Sequence, residues 1–190
     1  MRKVGFGVIG TGFWGRNHAR VLSELDNTRL IAVCDVDASR AEAIGKKHDV
    51  YWCSSDEDLL KMRDVEAVCI CTPTMTHAKI ALKSIQSGRH VLIEKPMASM
   101  VSEAQRILKE AEGNDVRIMV GFIERFNPTL QRVKQIIERG DLGEIVLAFA
   151  KRVGRWPERV GDVGVVKDSA IHDLDSVSYT HLTLPTILLV

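Results

Sequence analysis

The 190-residue sequence predicts an α/β protein: a doubly wound parallel sheet followed by the start of an incomplete α+β second domain. Three observations carry that prediction. Short apolar runs alternate with amphipathic helical stretches along residues 4–122. The first run, 4–9, ends in G-x-G-x-x-G at Gly10, Gly12 and Gly15 and passes at once into a helical pattern. The second run ends on an acid, Asp35, twenty positions after Gly15.

The elements follow in order. Residues 4–9, V-G-F-G-V-I, read as a buried strand, and Asn17, His18, Ala19, Arg20, Val21, Leu22 and Leu25 as the helix after it. The glycines therefore fall at a strand-to-helix turn. There Gly10 allows the tight turn, Gly12 lets a pyrophosphate approach the backbone, and Gly15 lets helix and strand pack closely. Thr11, Phe13 and Trp14 complete the turn, and the helix start presents free N–H groups and a positive dipole end to phosphate. Residues 28–35, T-R-L-I-A-V-C-D, form a second buried strand. An acid at its end accepts hydrogen bonds from the adenosine ribose and repels a 2′-phosphate, so Asp35 favours NAD over NADP. Arg40 reads as a solvated helix charge, with accommodation of a 2′-phosphate as its alternative. Asp37 caps a helix to about residue 47.

Residues 50–53 make a short third strand. Ser55 with Asp58 gives a capping pattern for a helix through Met62. Residues 65–71 form a fourth strand, broken by Thr72-Pro73-Thr74, and a helix follows over about 76–87, ended by Gly88. Residues 90–94 form a fifth strand, 99–112 a helix, and 117–122 a sixth strand. Ligands of such sheets bind beyond the carboxyl ends of the strands. That rule gathers residues 10–15, Asp35, 72–77 and 94–96 around one crevice of Rossmann type. A domain boundary is expected near Phe122. Beyond it, Asn127-Pro128 opens a helix through Glu138, residues 145–151 read as a strand, 154–166 as a charged loop with Trp156, and 167–176 as a helix.

Composition excludes several classes. There are 26 basic and 25 acidic residues, and 5% of residues are aromatic, which argues against a nucleic-acid or acidic-membrane surface. No apolar run is long enough to span a bilayer, and the N-terminus lacks a signal-peptide pattern, so the expected compartment is the cytoplasm. Cys34, Cys53, Cys69 and Cys71 lack metal-ligand spacing and read as reduced, buried hydrophobes, so no metal is expected.

Two short motifs carry chemistry. In Glu94-Lys95-Pro96, a lysine at a strand end can hold a developing alkoxide, and the proline suggests a cis peptide that aims it. Its alternative is a solvent-facing lysine at a turn. Asp168 and His172 stand at i and i+4, which places them on one helix face; a histidine can take a proton near neutral pH and a carboxylate can orient its neighbours. Their alternative is a helix cap beside a surface histidine.

The chain resembles the Gfo/Idh/MocA oxidoreductases. The resemblance lies in G-T-G-F-W-G (10–15), V-C-D-V-D (33–37), C-T-P-T-M-T-H-A (71–78), E-K-P (94–96), E-R-F-N-P (124–128) and D-S-A-I-H-D (168–173), and it covers about residues 3–175. It implies an NAD(P)-dependent dehydrogenase acting on a hydroxyl of a sugar or nucleotide sugar, a homo-oligomer when full length. It implies Lys95, Asp168 and His172 as catalytic: His172 takes the hydroxyl proton, Lys95 holds the reacting oxygen, and Asp168 positions Lys95 and the substrate. It implies a cofactor site of Gly10, Thr11, Gly12, Phe13, Trp14, Gly15, Asp35, Thr72, Pro73, His77, Glu94 and Lys95. Residues 121–173 are further similar to UDP-N-acetylglucosamine 3-dehydrogenases, which makes Arg152, Arg155 and Arg159 candidates for diphosphate or sugar contacts. A dinucleotide-binding sensor without turnover is the rival class, and a Rossmann module that binds nothing is a third. Members of the family are longer, and S-Y-T-H-L-T-L-P-T-I-L-L-V (178–190) does not continue the resemblance. The expectation is a truncated chain with a non-native tail over 178–190, domains at 1–122 and 123–177, weak NAD binding and no turnover by this fragment.

Overall fold

The computed structural model describes residues 2–151, 164 and 166–181. The chain divides into two compact units between Val120 and Gly121.

The first unit is a six-stranded, wholly parallel sheet in the order β3-β2-β1-β4-β5-β6. Its strands are β1 (Val4–Ile9), β2 (Thr28–Cys34), β3 (Tyr51–Cys53), β4 (Ala67–Ile70), β5 (His90–Ile93) and β6 (Ile118–Val120). Between them run α1 (Phe13–Glu24), α2 (Ala38–His48), α3 (Asp56–Leu60), α4 (Thr74–Gln86) and α5 (Val101–Asn114). The apolar runs predicted as strands pair because both faces of the sheet are covered. One face buries Ile9, Ala32, Val68, Ile70, Ile93, Leu59, Ile85 and Ile107; the other buries Val8, Val33 and Cys69 against Ala19, Leu22 and Ile44. Asp37 caps α2 as expected, accepting from the N–H groups of Ser39 and Arg40. Ser55 stands at the N-cap of α3 but makes no capping hydrogen bond, contrary to the sequence pattern. The acids of that first turn, Asp56, Glu57 and Asp58, already complement the helix dipole, and Lys83 pairs with Asp56 and Glu57.

In the second unit a 3₁₀ turn (Ile123–Phe126) leads into α6 (Pro128–Glu138). Asn127 caps α6 from Oδ1 to the Thr129 N–H, and Pro128 occupies the first turn, where its missing N–H costs nothing. The strand expected over 145–151 does not form: those residues carry no ladder, and Val146, Leu147 and Phe149 are exposed. β-branched content favours a strand only when a neighbouring strand pairs with it, and none of the described residues does so. The helix expected over 167–176 is also altered. Val166–Ala170 is a π-helical turn, and α7 (Ile171–His181) follows it. α6 packs against α7. From the 3₁₀ turn, Arg125 grips Asp175 of α7 with both Nε and Nη2, at 2.9 and 2.6 Å. Of the charged loop expected over 154–166, residues 154–163 with Trp156, and 165, lie outside the described residues, as does 182–190, and Val166 belongs to the π-helical turn; residues 178–181 are the last turn of α7.

Candidate functional site

The sheet reverses its strand order between β1 and β4, the place where parallel sheets take their ligands. Gly10 follows β1 with φ +90° and donates its N–H to the Cys34 carbonyl at 2.7 Å. A Cβ on Gly10 would lie 2.7 Å from the Cys71 carbonyl oxygen, and one on Gly15 only 1.7 Å from the Gly10 carbonyl oxygen. Gly12, the N-cap of α1, differs: nothing lies within 4 Å of where its Cβ would stand. Two glycines thus close the turn, and the third leaves an opening over the start of α1. No acidic side chain occupies the first turn of α1, so that turn itself does not offset the positive end of the helix. Trp14 Nε1, also in this turn, is buried with no acceptor among the described residues, and a buried donor of that kind calls for a partner.

Asp35 stands at the end of β2 and is 7% exposed. Its Oδ2 accepts from the N–H and Oγ1 of Thr11, at 2.7 and 3.0 Å, and its Oδ1 from the N–H of Asp37 at 3.0 Å. The acid therefore fastens the glycine turn to β2. Oδ1 holds one donor and has capacity for a ribose hydroxyl. Beside it, Val36 is 94% exposed, so an apolar side chain flanks the acid on the solvent side.

At the end of β4, Thr72 and Pro73 lead into α4, with Pro73 as its N-cap. His77 is 1% exposed; its Nε2 lies 2.8 Å from the Thr72 carbonyl oxygen and its Nδ1 2.8 Å from the Pro96 carbonyl oxygen. At the end of β5 the Glu94 N–H donates to the Ile70 carbonyl, which aligns this turn with the end of β4. Glu94 is buried; His18 Nε2 lies 2.8 Å from its Oε1, and its Oε2 accepts from the Lys95 N–H at 3.3 Å. The Lys95–Pro96 peptide is cis, as the sequence suggested, and Lys95 is half-buried. Burial, with the Glu94 charge behind it, pushes the Cys69 thiol up to about 12, and burial takes Cys71 well above its ordinary value. Both stay protonated at neutral pH and serve as packing, not as nucleophiles.

The first unit thus brings residues 10–15, Asp35, Thr72, Pro73, His77, Glu94 and Lys95 to one edge of one sheet. The open space at Gly12 and the Asp35 carboxylate fit a dinucleotide. Asp168 and His172 belong to the second unit. Asp168 is 6% exposed in the π-helical turn, where its Oδ2 accepts from Ser169 Oγ at 3.2 Å; π turns recur at functional sites. His172 stands in the first turn of α7 and is half-buried. Arg152, Arg155 and Arg159 lie outside the described residues. Sequence reasoning gave no role to His18, although a histidine three positions after Gly15, on the first helix, was a readable signal for it. Among the described residues no cluster of histidine, cysteine and acid could hold a metal, and no helix is long and apolar enough to cross a membrane.

Known proteins match this pattern. The model of an oxidoreductase family with an NAD-binding Rossmann fold, Gfo/Idh/MocA, matches residues 4–122. An inositol 2-dehydrogenase of Rhizobium meliloti is 32% identical over 184 residues, 93% of this chain and 54% of the relative. The crystal structure of an NAD-binding protein from Listeria innocua superposes with a TM-score of 0.80 at 26% identity, over 94% of this chain and 55% of that one. GenD2 from gentamicin A biosynthesis, solved in complex with NAD, gives a TM-score of 0.72 at 26% identity, over 74% of this chain and 40% of that one. The chain spans about half the length of the curated relatives it matches.

Proposed function

This chain belongs to the Gfo/Idh/MocA oxidoreductase family, and from that premise we propose that it is the cofactor-binding part of an NAD(P)-dependent dehydrogenase acting on a secondary hydroxyl of a cyclic polyol or sugar. The observation that carries the reading is the convergence of the open glycine turn, Asp35 and Lys95 on one sheet edge. Residues 10–15 hold the pyrophosphate through the start of α1, Asp35 takes the adenosine ribose, and Thr72, Pro73 and Glu94 border the nicotinamide end. Asp35 disfavours a 2′-phosphate, so NAD is the preferred form. A bound nicotinamide supplies the hydride acceptor. Lys95 holds the substrate oxygen and stabilises the negative charge it gains as its proton leaves. His172 takes that proton, and Asp168 orients the substrate.

The relatives named as inositol dehydrogenases support a ring polyol. G-F-I-E-R-F-N-P, at 121–128, supports a second substrate, the C3 hydroxyl of UDP-N-acetylglucosamine. On this reading residues 1–122 are the cofactor domain and 123–177 open the substrate domain. The test is NADH formation by a protein extending this sequence to the length of its relatives, assayed with inositols, free sugars and UDP-sugars. Lys95→Met and His172→Ala should each lower kcat/KM by about 10²–10⁴-fold. Unchanged activity in both overturns the catalytic assignment. Saturable NADH binding with no turnover of any substrate favours the sensor reading instead.

A further inference from the structure

We propose that His18 and His77 form a two-point clamp on the turn that carries Lys95, and that both are positioning residues for the reaction. The proposal rests on the reading of Lys95 as the residue that holds the reacting oxygen.

The turn Glu94-Lys95-Pro96 is fixed on both sides of the lysine. On the N-terminal side the Glu94 side chain is 11% exposed, and a carboxylate so buried needs donors. It divides its oxygens: Oε1 takes His18 Nε2 at 2.8 Å, and Oε2 takes the backbone N–H of Lys95 itself at 3.3 Å. A carboxylate only accepts, so His18 donates in this pair. On the C-terminal side the Pro96 carbonyl lies 2.8 Å from His77 Nδ1. The same ring reaches the Thr72 carbonyl through Nε2, also at 2.8 Å. A carbonyl oxygen likewise only accepts, and a neutral imidazole carries a single N–H, so the tautomer with the proton on Nδ1 is the one that ties the ring to the Pro96 carbonyl.

The origin of the two histidines matters. His18 lies on α1, the helix that starts at the glycine turn; His77 lies on α4, the helix that starts at Thr72-Pro73. Both helices are packed against the sheet through Ala19 and Leu22, and through Ala81 and Ile85. Each wall of the cofactor crevice therefore sends one histidine to the lysine turn. The lysine backbone is held relative to the two loops that border the cofactor, which is what a fixed distance between hydride acceptor and reacting oxygen requires. Core filling alone would not need two imidazoles and a buried carboxylate at a strand end, where polar groups carry a desolvation cost.

Backbone hydrogen exchange in this chain tests the clamp without any cofactor. His18→Ala and His77→Ala should each speed exchange of the Lys95 amide by about tenfold or more, with β1 and β4 amides unchanged. His18→Gln, whose amide can still donate to Glu94, should stay within about threefold of the parent chain. In the extended protein the same alanine variants should lower kcat at least about tenfold with KM for NAD nearly constant, and His18→Gln should recover part of the loss. If His77→Ala does not fold, His18→Ala decides, since that side chain is 20% exposed. Unchanged Lys95 exchange in a folded His18→Ala chain, or unchanged kcat, overturns the clamp. A parent protein that turns over no substrate sinks the functional reading, while the exchange rates still judge whether the turn is held.

Discussion

The three glycines of the turn after β1 meet three different demands, and substitution separates them. Gly15→Ala would press a methyl group to 1.7 Å from the Gly10 carbonyl oxygen, so it should destabilise the first unit by at least about 2 kcal/mol in chemical denaturation. Gly12→Ala meets nothing in the structure, so it should leave the melting temperature almost unchanged while weakening NADH binding by about tenfold or more. Thiol chemistry gives a second residue-level prediction. Burial raises Cys69 and Cys71, which therefore remain thiols rather than reactive thiolates as pH rises through 8. Iodoacetamide at pH 8 should spare both in the folded chain and modify both after denaturation, as peptide mass spectrometry would show. The glycines were legible in the sequence because turn geometry is local. The partners of the acids were not: Thr11 meets Asp35 across 24 residues, and His18 meets Glu94 across 76. No short motif encodes such pairs; they exist only once β1, β2, β4 and β5 are side by side.

At the scale of elements, packing decides what propensity only suggests. Leu59 of α3 is fully buried in the core beneath the sheet, and Leu59→Ala should cost about 2–5 kcal/mol in urea denaturation. The second unit is held differently, by the Arg125 fork on Asp175, whose side chains are 18% and 7% exposed. Arg125→Ala would leave that carboxylate buried without its main partner and should cost about 3 kcal/mol, with Arg125→Lys recovering only part because the two-pronged geometry is lost. Far-UV circular dichroism of α6 and α7 in the two variants checks the order. Apolar alternation predicted every strand of the first unit, because each of those strands finds neighbours and cover. The same reasoning failed at 145–151, where Val146, Leu147 and Phe149 have the composition of a strand and no paired neighbour among the described residues. It also missed the π-helical turn that holds Asp168, since the i, i+4 pattern of Asp168 and His172 carries no sign of a change in helix type.

For the molecule as a whole, the strand order 3-2-1-4-5-6 reverses direction between β1 and β4, and that reversal marks where such a sheet takes its ligand. The first unit carries the glycine turn, Asp35 and the turn with Lys95 at the carboxyl ends of its strands. The residues assigned to proton transfer lie in the second unit, and the chain spans about half the length of its curated relatives. Cofactor binding and turnover are accordingly separable properties. The measurement that bears most directly on the account is calorimetric titration of the folded chain with NADH, run beside the Gly12→Ala variant. Saturable one-site binding by the parent chain and markedly weaker binding by an equally stable variant are the expected results. A parent chain that is folded and releases no binding heat with NADH or NADPH, or a variant that binds as tightly as the parent, would contradict it.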